Sequence, residues 1–184
     1  MVASTAIDLE QAAFVYKDSR DVTGFVDGTA NPPMEEAAEV ALVPGGTPGA
    51  GGAFVLAQRW IHDLGAFHAL SVEEQEKVFG RTKPDSVEMD DGTKPANAHI
   101  ARVEIDIDGA EAEIFRRSTP FGTLAEHGLY FLAFSAELRR FEIMLHNMFG
   151  LGDGPRDRLT DFSRPVSGSY FFTPSVDALN DVLG

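Results

Sequence analysis

Apolar and polar positions change period several times along the chain, and each change marks an element. Phe54 to Ile61 reads as a strand. Ser71-Val72-Glu73-Glu74 places a hydroxyl three residues before a carboxylate, the signature that opens a helix, and Gly80 closes that helix after Phe79. Val103 to Ile107 alternates cleanly, Asp108-Gly109 signals a hairpin turn, and Glu113 to Phe115 returns as the second strand. Leu129 to Phe134 is a nearly continuous apolar run, as a buried strand would be. Phe141, Leu145, Met148 and Phe149 recur at helical spacing, and Gly150 stops the helix. Tyr170-Phe171-Phe172 predicts a last short strand before a small helix near residues 175–182. Residues 35–43 predict a short helix or the entry to a strand.

Turn-rich blocks separate these elements. Gly24 to Pro33 and Asp85 to Ala98 cannot be regular throughout, and Pro44 to Gly52 is a flexible loop. That glycine-rich loop lacks the Gly-Lys-Ser/Thr ending of a phosphate loop, which argues against nucleotide binding. Residues 1–22 carry only a weak pattern and read as a linker or edge segment; 23–184 form one domain without internal repeats. Strands interleaved with helices and joined by hairpins predict an α+β domain around an antiparallel sheet.

Composition narrows the function classes. The 184 residues carry a formal charge of −14, which repels phosphate backbones and excludes nucleic acid as a natural partner. There is no cysteine. Disulfides, thiolate zinc sites, iron–sulfur clusters, thiolate-ligated haem and covalent c-type haem attachment are all excluded, so metal chemistry must use histidine, carboxylates or a cofactor. No apolar run approaches the roughly 18 residues of a membrane helix. The first residues lack a basic stretch followed by an apolar core, and the expectation is a cytoplasmic protein.

The candidate chemistry is sparse when taken residue by residue. His62, His68, His99, His127 and His146 show no metal-ligand spacing, and each alone reads as a surface or structural histidine. Asp106-x-Asp108-Gly109 is better explained by the hairpin than by a calcium loop, and Asp90-Asp91-Gly92 by a solvated turn. Asp27 stands between Val26 and Gly28 in a loop stiffened by Pro32 and Pro33; it is either an ordinary turn residue or a carboxylate held for a purpose.

The order of motifs decides between these. Gly24-Phe25-Val26-Asp27-Gly28, extended by Asn31-Pro32, resembles the distal signature of the DyP-type (dye-decolorizing) peroxidases. Gln58 to Leu64, Ala98-His99-Ile100-Ala101-Arg102, Ile114 to Gly122, Gly128 to Phe134 and Asp157-Arg158-Leu159-x-x-Phe162 resemble further segments of that family in the same order. Asp27 precedes His99 by 72 residues and His99 precedes Arg116 by 17, as in the family's bacterial branch. Family members usually have two ferredoxin-like halves, of the dimeric α+β barrel type, and this chain resembles only the second.

The resemblance implies a non-covalent haem b whose iron is ligated by His99, with Asp157 as the acceptor for the other ring N–H. It implies hydrogen peroxide as oxidant and an organic dye or phenol as reductant. Asp27 would shuttle a proton between the peroxide oxygens, Arg116 would supply fixed positive charge, and Ser118 would hold the peroxide or a water. The run Leu129 to Phe134 would furnish part of the cavity wall, with Phe131 and Phe134 against the haem. Arg117 would face away, because adjacent strand residues point to opposite sides. Trp60, Tyr16, Tyr130 and Tyr170 are either core aromatics or relays to a surface substrate. A haem-handling role, and an interaction module that has lost haem, are the alternatives. A half-protein also leaves a sheet face to be covered, by a separate N-terminal half or by copies of this chain.

Overall fold

The structure is a computed structural model that describes residues 6–152 and 154–183; residues 1–5 of the weakly patterned N-terminal segment lie outside the described residues. In chain order the elements are α1 (Ala37–Ala41), β1 (Ala53–His62), α2 (Leu64–His68), α3 (Val72–Phe79), α4 (His99–Val103), β2 (Asp106–Ile107), β3 (Ala110–Glu111), β4 (Phe115–Arg116), β5 (Thr119–Gly122), β6 (His127–Ser135), α5 (Leu138–Met148), β7 (Ser163–Thr173) and α6 (Val176–Leu183). The main sheet runs β4-β6-β1-β7, with β5 also paired to β6. Every pairing in it is antiparallel. Counting β4 as the second strand, the order is that of a ferredoxin-like α+β fold, with helices packed on one face.

Local signals explain most element ends. The Ser71 hydroxyl accepts from the Glu74 N–H at the start of α3, and Gly80 ends it with φ +83°. In α2, which the sequence reading missed, the Asp63 side chain accepts from the Ala66 N–H. The expected 103–107/113–115 hairpin is cut down. Val103 ends α4, only Asp106–Ile107 and Ala110–Glu111 pair, and Phe115 joins β6 instead. Ile105, part of the alternation that suggested the longer strand, is buried with Ala112 against Met144 of α5. In contrast, β7 is far longer than its aromatic triplet suggests: Ser163 to Ser169 lacks an apolar period yet pairs with β1 along its length. Pro165 is tolerated there because β7 is an edge strand.

Strand parity gives the sheet two different faces. Leu56 of β1 and Ala133 of β6 turn toward Phe141 of α5 to form the central core. A second core joins Phe25, Phe67 and Val78, with Phe79 and Phe162 packed against it. On the opposite face, Leu9, Gln11 and Ala13 lie over Tyr130, Leu132 and Arg117. The Arg59 guanidinium on that face donates to Gln11 Oε1 and pairs with Glu126.

Candidate active site

A cavity opens between the α5-facing side of the sheet and helices α4 and α5. Leu56, Gln58, Trp60 and His62 reach it from alternate positions of β1, and Leu129 and Phe131 from β6. Ile100, Val103, Met144 and Met148 close it from the helices. Measured out through its open mouth it holds about 1530 Å³ of empty space.

One wall presents His99, the first residue of α4. Its Nδ1 lies 2.7 Å from Asp157 Oδ2. Asp157 is completely buried, and its other oxygen accepts from the Leu159 N–H at 2.8 Å. Neighbouring backbone bonds fix the carboxylate's position: the Asp157 N–H donates to the Met148 carbonyl and the Arg158 N–H to the Asn97 carbonyl. A carboxylate acceptor at Nδ1 places the proton there and leaves Nε2 as the ring's lone-pair nitrogen.

The loop carrying Asp27 forms a second wall. The Asp21 N–H donates to the Phe25 carbonyl and the Asp27 N–H to the Ser19 carbonyl, so residues 19–27 form a tight hairpin. Phe25 pins it by stacking on Phe79 at 4.0 Å between ring centroids. Gly24 and Gly28 have φ of +90° and +83°, conformations that L side chains rarely adopt, and a Cβ on Gly24 would come 2.7 Å from the Lys83 side chain. The two glycines of the motif are therefore required by the backbone that aims Asp27. Burial pushes the Asp27 carboxyl above the usual carboxylate range; the Arg116 guanidinium opposes that shift and the Asp21 carboxylate adds to it.

Arg116 faces the same side as Ala133, its partner in β6. Burial lowers its guanidinium from the ordinary value, with Asp27 opposing. Asn31 holds the backbone of this residue from both sides: its Oδ1 accepts from the Arg116 N–H at 2.8 Å, and its Nδ2 donates to the Arg116 carbonyl at 3.0 Å. Among the described residues the arginine's Nε and the Ser118 Oγ are buried without a partner, and Ser118 is not one of the residues that line the cavity. Arg117 lies on the other face and is exposed.

His99, Asp27, Arg116 and Phe131 thus line one cavity, with Asp157 directly behind His99. Phe134 does not join them. It pairs with Phe115 and Val55, three positions beyond Phe131, so strand alternation carries it to the opposite face. Trp60 does line the cavity, its indole N–H donating to Gln58 Oε1 and its ring parallel to Phe149. Asn31 was visible only as part of a motif, because a carboxamide gives no sign in sequence of which backbone it will hold. Among the described residues no cluster of three histidine or acidic side chains could hold a bare metal ion, and no helix is long and apolar enough to cross a membrane.

A family model described as "Dyp-type peroxidase, C-terminal" matches residues 18–178. The chain is 49% identical to a dye-decolorizing peroxidase of Mycolicibacterium paratuberculosis, over 97% of its own length and 52% of that protein's. It is 44% identical to one of Mycobacterium tuberculosis, over 97% and 54%. Among solved structures, a dye-decolorizing protein from V. cholerae superposes with a TM-score of 0.87 at 46% identity, covering 92% of this chain and 56% of that one. A variant of Rhodococcus jostii RHA1 DypB in complex with heme superposes at 0.86 with 45% identity, covering 91% and 56%. The chain spans about half the length of the curated relatives it matches. With 161 consecutive residues inside the family model, the chain belongs to the Dyp-type peroxidase family, of which it matches the C-terminal part.

Proposed function

We propose that this chain is the haem-binding half of a peroxidase that uses hydrogen peroxide to oxidise organic substrates such as dyes and phenols. The observation that carries the reading is a single cavity with a carboxylate-held histidine on one wall and both Arg116 and Asp27 on the others. The walls fit a non-covalent haem b. They are largely apolar, they offer one free imidazole nitrogen, and one buried polar atom of a wall residue, Arg116 Nε, has no partner among the described residues.

His99 would ligate the iron through Nε2, and the anionic acceptor at Nδ1 would hold the ring and strengthen its donation. The haem, when bound, supplies the iron at which peroxide is reduced and oxidising equivalents are stored. Asp27 would take the proton from one peroxide oxygen and return it to the other, so that the bond breaks unevenly and water leaves. Its raised carboxyl brings proton affinity closer to the working pH, where such groups typically contribute roughly 10²–10⁴-fold. Arg116 would offset negative charge on the departing oxygen, and Ser118 would hold peroxide or a water by hydrogen bonding. A haem-handling role would need neither the buried guanidinium nor the carboxylate beside it.

The apolar surface of β7 and α6 bears on partners. Tyr170, Phe171 and Phe172 are 47%, 57% and 44% exposed, and Val176, Val182 and Leu183 of α6 are more than half exposed. We propose that an N-terminal half, or a second copy of this chain, covers them. Cytoplasmic work is part of the proposal, and cell fractionation would decide it. The central test is haem titration followed by peroxide-dependent dye oxidation, with and without Asp27→Asn and Arg116→Leu. Haem uptake with no peroxide-dependent turnover in the complete protein would overturn the reading.

A further inference from the structure

The mechanism above leaves three buried polar side chains of the cavity wall without a task. Ser163, at the start of β7, lies with its Oγ 2.8 Å from His62 Nδ1, and His62 Nε2 lies 3.3 Å from the Asp21 carboxylate. Asp21 accepts at Oδ2 from both the Thr23 N–H and the Thr23 hydroxyl, at 3.1 and 2.6 Å. Asp21, His62 and Ser163 come from three separate segments: the hairpin of residues 19–27, the end of β1 and the edge strand. All three line the cavity.

The hairpin gives the chain its leverage. Asp21 opens the turn whose far side carries Phe25 and, two residues on, Asp27. Its carboxylate closes that turn through Thr23 and ties it to the sheet through His62. We propose that Asp21 and His62 are positioning residues, a hydrogen-bonded pair that fixes the Asp27 hairpin against β1 and so sets the environment in which Asp27 carries its proton. This rests on the assignment of Asp27 as the proton-moving group.

Electrostatics gives the sign. Burial alone would raise the Asp21 carboxyl, yet the hydrogen bond and charge of His62 and the donors of Thr23 hold it below its ordinary value, so it is an anion. That anion disfavours ionisation of Asp27. Arg116 on β4 and His99 on α4 act on Asp27 in the opposite sense to Asp21. Arg81, Glu104, Glu111 and Glu113 complete the ionisable wall. Removing the negative charge with Asp21→Asn keeps an oxygen for Thr23 and makes Asp27 ionise at lower pH. His62→Gln keeps a hydrogen-bonding side chain between Asp21 and Ser163, whereas His62→Leu keeps none. His62→Leu therefore frees the hairpin from β1 while Asp21 retains both Thr23 donors.

The test is an infrared titration of the Asp27 carboxyl, assigned by its loss in Asp27→Asn, on the full chain with and without haem. It is paired with the pH profile of the reaction with hydrogen peroxide. The expected result is a lower midpoint in Asp21→Asn in both measurements, and a slower peroxide reaction in His62→Leu that His62→Gln largely restores. Ser163→Ala, which breaks the chain without changing charge, slows the reaction without displacing the midpoint. No displacement in Asp21→Asn, an equal displacement in Ser163→Ala, a His62→Leu rate equal to that of the unaltered chain, or no recovery in His62→Gln would overturn the inference. If the infrared midpoints move as expected while the peroxide profile does not follow, the pair does control Asp27, and it is the proton-moving role of Asp27 that falls.

Discussion

Asn31→Ala isolates placement of the arginine from its charge. The carboxamide accepts from the Arg116 N–H and donates to its carbonyl, at 2.8 and 3.0 Å, across 85 residues of sequence. Both backbone groups sit at the outer edge of β4, where β6 does not reach. Each bond has a net worth of about 0.5–1.5 kcal/mol, so the loss is about 2 kcal/mol in all. For a chain of this size that lowers the midpoint of thermal unfolding by roughly 4–8 °C. Asn31 is not itself a wall residue, so haem uptake should persist. The guanidinium, however, loses the clamp on its own backbone, and displacement of a catalytic group by about 1 Å can lower a rate by about 10²-fold. Thermal unfolding followed by circular dichroism, and stopped-flow mixing with peroxide, check the two halves of the prediction. A lower melting point with an unchanged peroxide rate would show that Asn31 supports the fold alone. An unchanged melting point would show that water replaces both bonds at no loss.

Arg116→Leu should keep haem and slow the reaction with peroxide by about 10²-fold or more, while Arg117→Leu on the opposite face should be close to neutral; the reverse in stopped-flow rates would mean the register of β4 is misassigned. His99→Ala should lose the iron's protein ligand and most haem occupancy, read from the visible spectrum of the purified protein, and full occupancy would move the ligand to another histidine. Light scattering on the isolated 184-residue chain should find self-association or a need for a partner; a stable, haem-loaded monomer of 19.9 kDa would refute the argument from the exposed β7 and α6 surface.

What the sequence made legible followed from how local each cause is. The cap at Ser71, the stop at Gly80 and the helix marked by Phe141 and Leu145 are short-range effects, and all were readable. The glycines around Asp27 are legible for the same reason, since positive φ is a property of one residue. The His99–Asp157 pair spans 58 residues, and only the resemblance brought it forward. His62 looked like any structural histidine because its partners, Asp21 and Ser163, are distant in sequence on both sides. Strand β7 escaped because its first half has polar and small residues, and pairing with β1 overrides propensity. Phe134 is a different kind of error. The parity that separates Arg116 from Arg117 also separates Phe131 from Phe134, and a continuous apolar run hides that alternation.

The site is held by the parts of its residues that do no chemistry. His99 is gripped at Nδ1, leaving Nε2 free. Arg116 is gripped at its backbone by Asn31, leaving Nε without a partner. Asp27 is aimed by a hairpin fixed through Phe25 and Asp21, and its carboxyl is displaced from the ordinary range by burial rather than by a direct ion pair. Hydrogen bonds at the reactive atoms would have to be broken before a ligand could bind, at about 1 kcal/mol or more each. Bonds one step behind them fix the geometry without that loss. The buried Arg116 Nε, without a partner among the described residues, is the consequence: it carries a desolvation cost that a ligand in the cavity would offset, and that difference favours occupancy of this site over an equally apolar cavity without it.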